Sequence, residues 1–424
     1  MKETSRNQEE NSNQGTASNM CNQIKYALMW WCDNTSLHGL HYISSKDSSM
    51  FTRLFFACEQ SVLTTVRSTA FPVWKIRFPS VTVCNFNLVY KDNVKKVLNV
   101  VRANNINEEV FEDMLYNLSA LVIYDDLGDM SGYRIVFEEL EKAGYTTDRL
   151  MEEVLVYKSL RTKIYILVFQ LAHPCSSMIK KCFWQSEEVQ CSQIFDSVKT
   201  SQGYCCAFNY YGSVDTVENL ENPQKLHFLH VSGAGPNLGL RLLLDVEESQ
   251  YISPIKPSYG INILVQDGFD YPDMDLIANT ILSTQELTIS VNPKIYISTE
   301  SVRYLDYEHR HCLFEDEGDL EWTTTYSYKT CLSQCRIEAI LYYCNCVPYY
   351  YPIRRRERIC TLLDVPCLRA NKYKYNALEI VDSVFVPRDT KKMYEHGDTV
   401  RCKCYPQCSE QMFTLHTDRA TATP

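Results

Sequence analysis

Cysteine dominates the chemistry open to this sequence. The chain carries 19 cysteines in 424 residues, too many for a reduced protein without metal. An odd total leaves at least one outside any disulfide framework. Cys21, Cys32 and Cys58 lie early, and the other sixteen lie beyond position 80. Cys331 and Cys335 are four apart in a stretch of helical spacing, 324–343, so they share one helix face about 6 Å apart. Cys402 and Cys404 are two apart, so in an extended segment they share a face about 6.6 Å apart. The matching separations let two disulfides fasten a helix to an extended segment, in parallel or crossed pairing. Zinc is the competing chemistry. It favours Cys-x2-Cys knuckles or histidine partners, whereas here the pairs read Cys-x3-Cys and Cys-x-Cys, with only His311 and His396 nearby. The spacing therefore favours disulfides and no metal.

The elements that must position these sulfurs follow from the hydrophobic pattern. Residues 106–118 and 147–160 are predicted helices, with Val110, Phe111, Met114 and Leu118, and Leu150, Val154 and Leu155, on their apolar faces. Residues 73–90 alternate as a strand, 226–246 and 258–267 are strand-rich, and 286–306 reads as a strand pair. No internal repeat is visible, and residues 1–20 read as a disordered polar tail.

Composition narrows the function. Hydrophobic residues make up 45 % and charged residues 22 %, a globular balance, and the net charge of −10 argues against nucleic acid as a partner. No Gly-rich phosphate loop, HExxH or GxSxG appears, so the chain is not expected to be an enzyme and no cofactor is expected. The cysteine distribution suggests a reduced N-terminal part and an oxidised remainder, as when a chain crosses a membrane. A wholly secreted chain with one spare thiol is the alternative. Yet no apolar signal segment and no run of about 20 apolar residues is present. Asn117-Leu118-Ser119 is a glycosylation sequon, and the acidic run from Glu315 to Glu321 reads first as a solvated face and second as a cation- or proton-sensing patch.

Longer motifs carry a resemblance. Phe78-Pro79-Ser80-Val81-Thr82-Val83-Cys84-Asn85, Gly203-Tyr204-Cys205-Cys206-Ala207-Phe208-Asn209, and Tyr326-Ser327 through Cys331, Cys335, Cys344-Asn345-Cys346-Val347-Pro348 to Pro352 resemble the degenerin/epithelial sodium channel family. The doubled cysteine is similar to insect pickpocket-type subunits. Cys32 to Leu40, with Thr35-Ser36-x-His38-Gly39, resembles that family's cytoplasmic segment and its His-Gly gating pair.

The resemblance implies an α+β fold: a disulfide-rich, hand-shaped ectodomain with a β-sheet palm and β-ball and a helical finger and thumb. It implies an amiloride-sensitive channel for sodium ions in the plasma membrane, gated by a ligand or by force and built as a homo- or hetero-trimer of related subunits. Carried over by position, it implies a cytoplasmic segment at 21–50, a remnant of a first membrane helix at 51–72, palm, β-ball and finger at 73–311, a stapled thumb at 312–408 and a return to the palm at 409–424. It implies the pairs Cys84–Cys205, Cys182–Cys191, Cys312–Cys408, Cys331–Cys404, Cys335–Cys402, Cys344–Cys367 and Cys346–Cys360, leaving Cys175 and Cys206 for each other. A bond across the roughly 97-residue loop ending at Cys312 and Cys408 would contribute on the order of 4–5 kcal/mol.

The sequence departs from the family pattern in two places. After Phe55-Phe56 the expected first membrane helix is essentially absent, and a second membrane helix with its small-residue selectivity stretch does not follow before Pro424. The expectation is a spliced or incompletely assembled form. It would be completed by full-length subunits, or would act as a non-conducting partner that dampens them.

Overall fold

The computed structural model describes residues 65–142, 171–212, 228–274, 278–318, 320–321, 323, 325–352, 357–380 and 400–421. His38, Gly39, Cys21, Cys32 and Cys58, the expected helix at 147–160, and the expected segments 1–20 and 21–50 lie outside the described residues, as does 51–64.

The chain divides into two units. The larger holds Pro72–Ser298 with His311–Pro424, and the smaller holds Met1–Phe71 with Thr299–Arg310. Within the smaller, a 3-10 turn at Glu300–Tyr304 and a helical turn at Tyr307–Arg310 follow one another. Arg303 pairs with Glu300 and Arg310 donates to the Leu305 carbonyl.

In the larger unit the strands are β1 (Ser80–Asn85), β2 (Ile179–Trp184), β3 (Glu187–Val189), β4 (Phe195–Thr200), β5 (Gly203–Phe208), β6 (Leu240–Leu244), β7 (Gly260–Gln266), β8 (Asn279–Leu282), β9 (Gln285–Tyr296), β10 (Leu378–Ile380), β11 (Val400–Cys402) and β12 (Glu410–Thr421). The longer helices are α1 (Lys91–Ala103), α2 (Glu108–Tyr116), α3 (Ser131–Lys142), α4 (Tyr328–Cys344) and α5 (Val365–Asn376). The fold is α+β.

The main sheet runs β4-β5-β1-β7-β8, all neighbours antiparallel. β1 reads Ser-Val-Thr-Val-Cys-Asn, rich in the branched residues that suit a pleated surface, and it is buried because it lies mid-sheet. Its neighbour β5 carries adjacent Cys205 and Cys206, whose side chains leave opposite faces of the sheet. One joins Cys84 and the other Cys175, so the doubled cysteine fastens both faces. A smaller sheet, β3-β2-β6, packs with the main sheet around Val83, Met178, Ile179, Cys182, Phe208 and Ile261.

The helices bury their apolar stripes in one large cluster that also receives α4 and α5: Val97, Val101, Phe111, Met114, Leu115 and Leu140 meet Ile337, Ile340, Leu362 and Leu368. α2 begins at Asn107, whose side chain accepts from Val110 N.

The strand pair expected at 286–306 is one strand. β9 runs unbroken over Gln285–Tyr296 and pairs along its whole length with β12, from Tyr296↔Glu410 to Gln285↔Thr421. Among the described residues, the regular strand within 226–246 is only β6, and within 73–90 it is only β1.

Candidate functional site, a three-aspartate loop beneath the stapled helix

α4 carries the cysteines at 331 and 335 and starts at Ser327, whose hydroxyl accepts from Thr330 N. Cys331 is bonded to Cys404 and Cys335 to Cys402, with Cα separations of 5.8 and 6.0 Å. The C-terminal end of α4 is fixed to α5 by Cys344–Cys367, and Cys346–Cys360 and Cys312–Cys408 close the loops around it. Cys182–Cys191 tethers β2. All sixteen cysteines beyond position 80 are thus consumed in pairs, which removes the thiolates that zinc would need.

The first turn of this helix grips the loop that leaves β7, Asp267-Gly-Phe-Asp-Tyr-Pro-Asp273. Thr330 Oγ1 accepts from Tyr271 N at 3.0 Å and donates to the Phe269 carbonyl at 3.3 Å. Ser327 Oγ donates to Asp270. Gly268 is pressed so close that a Cβ would lie 2.9 Å from the Asn209 carbonyl oxygen, so only glycine fits there.

Each aspartate has its own cation. Asp273 meets Arg336 at 2.6 Å and Asp270 meets Lys329 at 2.7 Å. Those two cations are seven residues apart on α4, so they share a face about 10.5 Å apart and reach the loop side by side. Asp267 faces Arg77 at 3.6 Å.

The Arg77 guanidinium lies 5.2 Å from the ring centres of both Phe228 and Phe269 and 3.6 Å from Glu315. Its carbonyl accepts from Gln411 Nε2 at 2.6 Å. Arg77 therefore joins the segment just before β1 to the beginning of β12.

Burial raises the Asp267 pKa to about 6, with Arg77 partly opposing and Asp270 and Glu315 adding to the rise. Burial works against the charge on Arg336, but Tyr351 and Asp273 override it and hold the guanidinium firmly charged. Lys329 shows the same contest: burial pulls its pKa down, and Asp270 lifts it above the ordinary range. Glu410, at the start of β12, is raised by burial and then by Asp270.

Behind the loop lies a layer of tyrosines. Tyr271 Oη donates to the Tyr350 carbonyl at 3.1 Å, its ring lies 5.4 Å from that of Tyr351, and the Tyr350 and Tyr124 hydroxyls are 2.7 Å apart. The arrangement can transmit a displacement of the stapled helix to Arg77, and it can change charge at Asp267 near mildly acidic pH.

Asn117 caps α2 and is half-buried, with its Nδ2 donating to the Asp113 carbonyl at 2.9 Å and to Tyr133 Oη at 3.0 Å. The acidic run is only partly a solvated face. Glu315 faces Arg77, Glu317 accepts from Phe314 N, and Leu320 is buried. Sequence reasoning missed Asp267, Asp270, Asp273, Arg77, Lys329 and Arg336. The signal was aspartate at every third position after a strand, facing a Lys–Arg pair spaced by seven on a helix.

Among the described residues no helix is long and apolar enough to cross a membrane. Residues 58–423 match the sequence model of the family described as amiloride-sensitive sodium channel. The chain is 25 % identical over 382 residues to the sodium channel protein Nach of Drosophila melanogaster, covering 82 % of this chain and 68 % of that one. It is 24 % identical to pickpocket protein 28 of the same species, covering 81 % and 59 %. It is 20 % identical to the human epithelial sodium channel subunit beta, covering 81 % and 62 %. The chain thus spans about two thirds or less of the length of these relatives.

Proposed function

Because this chain belongs to the amiloride-sensitive sodium channel family, we propose that it serves as a subunit of a sodium-conducting, amiloride-blocked channel in the plasma membrane, assembled with two like or related subunits. In this reading the α+β domain lies outside the cell. Residues 73–311 act as palm, β-ball and finger, 312–408 as thumb and 409–424 as the return to the palm. The cytoplasmic segment 21–50 contributes His38 and Gly39 to gating, and 51–72 leads from it toward the palm.

The observation that carries the reading is the Arg77 joint. The segment entering β1 and the strand β12 are the parts that such a subunit would connect to its membrane helices. Arg77 bonds the second through Gln411 while its guanidinium contacts the loop held by the stapled helix. A stimulus that moves the helix is thereby delivered to both ends of the domain at once. Asp267 sets the strength of that joint. With its pKa raised to about 6, it is ionised at neutral pH and faces Arg77. As pH falls through about 6 it takes up a proton, the cost of burying its charge disappears, and among the described residues Arg77 keeps Glu315 as its charged partner.

The test is a recording of amiloride-sensitive sodium current from cells expressing a pickpocket-type subunit with and without the protein carrying this sequence. Added current, altered on acidification from about pH 7.5 to about pH 5.5 and insensitive to it in Asp267→Asn, is expected. Current unchanged by the protein at either pH would refute the reading.

A further inference from the structure

Three aromatic rings meet beside the Arg77 guanidinium. Ring centres of Tyr211 and Phe228 lie 4.9 Å apart, those of Phe228 and Phe269 5.8 Å, and those of Tyr211 and Phe269 6.0 Å. The guanidinium stands 5.2 Å from the centres of both phenylalanine rings, within reach of a cation–π contact with each. Asp267 and Glu315 supply negative charge, each 3.6 Å from the same guanidinium nitrogen.

The rings are held in place without help from the Arg77 side chain. Tyr211 N donates to the Gly268 carbonyl at 2.8 Å. Leu229, next to Phe228, donates through its N to Asn209 Oδ1 at 3.3 Å and accepts at its carbonyl from Phe78 N at 2.8 Å. Phe269 N donates to Asp267 Oδ1 at 3.1 Å, and its carbonyl accepts from Thr330 Oγ1. The guanidinium itself is held more loosely. A separation of 3.6 Å is beyond hydrogen-bond range, so the two carboxylates act on it through charge alone. The Arg77 side chain is 28 % exposed and that of Glu315 44 %, so this side of the cage faces water.

We propose that the cage of Tyr211, Phe228 and Phe269, with Asp267 and Glu315, is a guanidinium-binding site, which the chain fills with its own Arg77 and which an outside guanidinium, on a small molecule or on an arginine side chain of a peptide, can occupy in its place.

The chemistry selects guanidinium over other cations. A guanidinium is flat and weakly hydrated, so it gives up little water to lie against two rings, whereas an ammonium is compact and strongly hydrated. The carboxylates attract any cation, and the rings favour a flat one. Arg77 is tethered beside the cage, so its side chain is present at high effective concentration and an outside guanidinium must compete with it. The consequence of displacement rests on the channel reading. The backbone bond from Gln411 to the Arg77 carbonyl stays, while the side chain's contact with the aspartate loop is lost. An occupant would therefore uncouple the stapled helix from the segment entering β1.

Ligand-observed NMR titration of the purified, oxidised full chain with methylguanidinium tests this, at constant ionic strength and about pH 7.5, where Asp267 is ionised. Arg77→Ala, which clears the cage, is expected to bind with a Kd on the order of 1–10 mM. The unaltered protein should bind at least about tenfold more weakly, because its own side chain competes. Arg77→Gln should behave like Arg77→Ala, and it serves in its place if the alanine variant does not fold. Adding Phe228→Leu should weaken binding about fivefold or more, and methylammonium should bind several-fold more weakly than methylguanidinium. N-acetylargininamide forms a parallel arm. Binding as tight as that of methylguanidinium marks a peptide arginine as an admissible ligand, and binding of methylguanidinium alone marks a free small guanidine. Cleared-cage variants that bind no tighter than the unaltered protein, methylammonium bound equally well, or no effect of Phe228→Leu would overturn the proposal. Binding as expected, with no sodium current in any recording, would count against the channel reading alone and leave the site standing.

Discussion

Asp273→Ala is expected to destabilise the folded protein by about 3–5 kcal/mol, because it leaves a buried guanidinium without its carboxylate. Arg336 is 16 % exposed and Asp273 5 %, and they meet at 2.6 Å. Arg336 sits in the middle of α4, between two disulfides and the tyrosine layer, and cannot swing out to water without unpacking that helix. The neighbouring pair gives an internal comparison. Lys329 is 43 % exposed, so Asp270→Asn, which leaves that cation to the solvent, should cost no more than about 1 kcal/mol. Denaturant unfolding of the purified variants measures both. Equal costs for the two substitutions would show that burial does not govern this loop.

Removal of both helix staples, by replacing Cys331, Cys335, Cys402 and Cys404 with alanine, should cost on the order of 5–6 kcal/mol. Loss of Cys335–Cys402 alone should cost about 2–3 kcal/mol. The asymmetry follows from nesting. Cys335–Cys402 closes a separation of 67 residues inside the 73 closed by Cys331–Cys404, so one staple removes most of the unfolded chain's freedom that the other would remove. With both gone, only the 96-residue separation of Cys312–Cys408 restrains the segment from outside. Unfolding of the single and double deletions under non-reducing conditions is the check, and identical losses in the two would contradict the nested arrangement.

That two disulfides could fasten this helix to an extended segment was legible because that information is local, whereas the choice of parallel over crossed pairing came only from the family resemblance. Four residues of helix and two of extended chain span similar lengths, and the types and spacings of Cys331, Cys335, Cys402 and Cys404 state this without knowledge of the fold. α2 was legible for the same reason, through Val110, Phe111 and Met114 on one stripe. The aspartate loop was not. Asp267, Asp270 and Asp273 read as ordinary turn residues until the chain brings Arg77 from far upstream and α4 from downstream to face them. The misreading of 286–306 has a similar cause. A period of two marks extended chain but does not say where the partner lies. β9 finds its partner in β12, more than a hundred residues later, while the residues after Ser298 turn into short helical turns.

The most direct measurement is a disulfide map of protein recovered from expressing cells, made by blocking free thiols before digestion and sequencing the linked peptides without reduction. The account predicts eight linked pairs, among them Cys84 with Cys205 and Cys175 with Cys206, and predicts that Cys21, Cys32 and Cys58 carry the blocking group. Blocked thiols among the sixteen cysteines beyond position 80, or zinc retained by them, would contradict an oxidised extracellular domain.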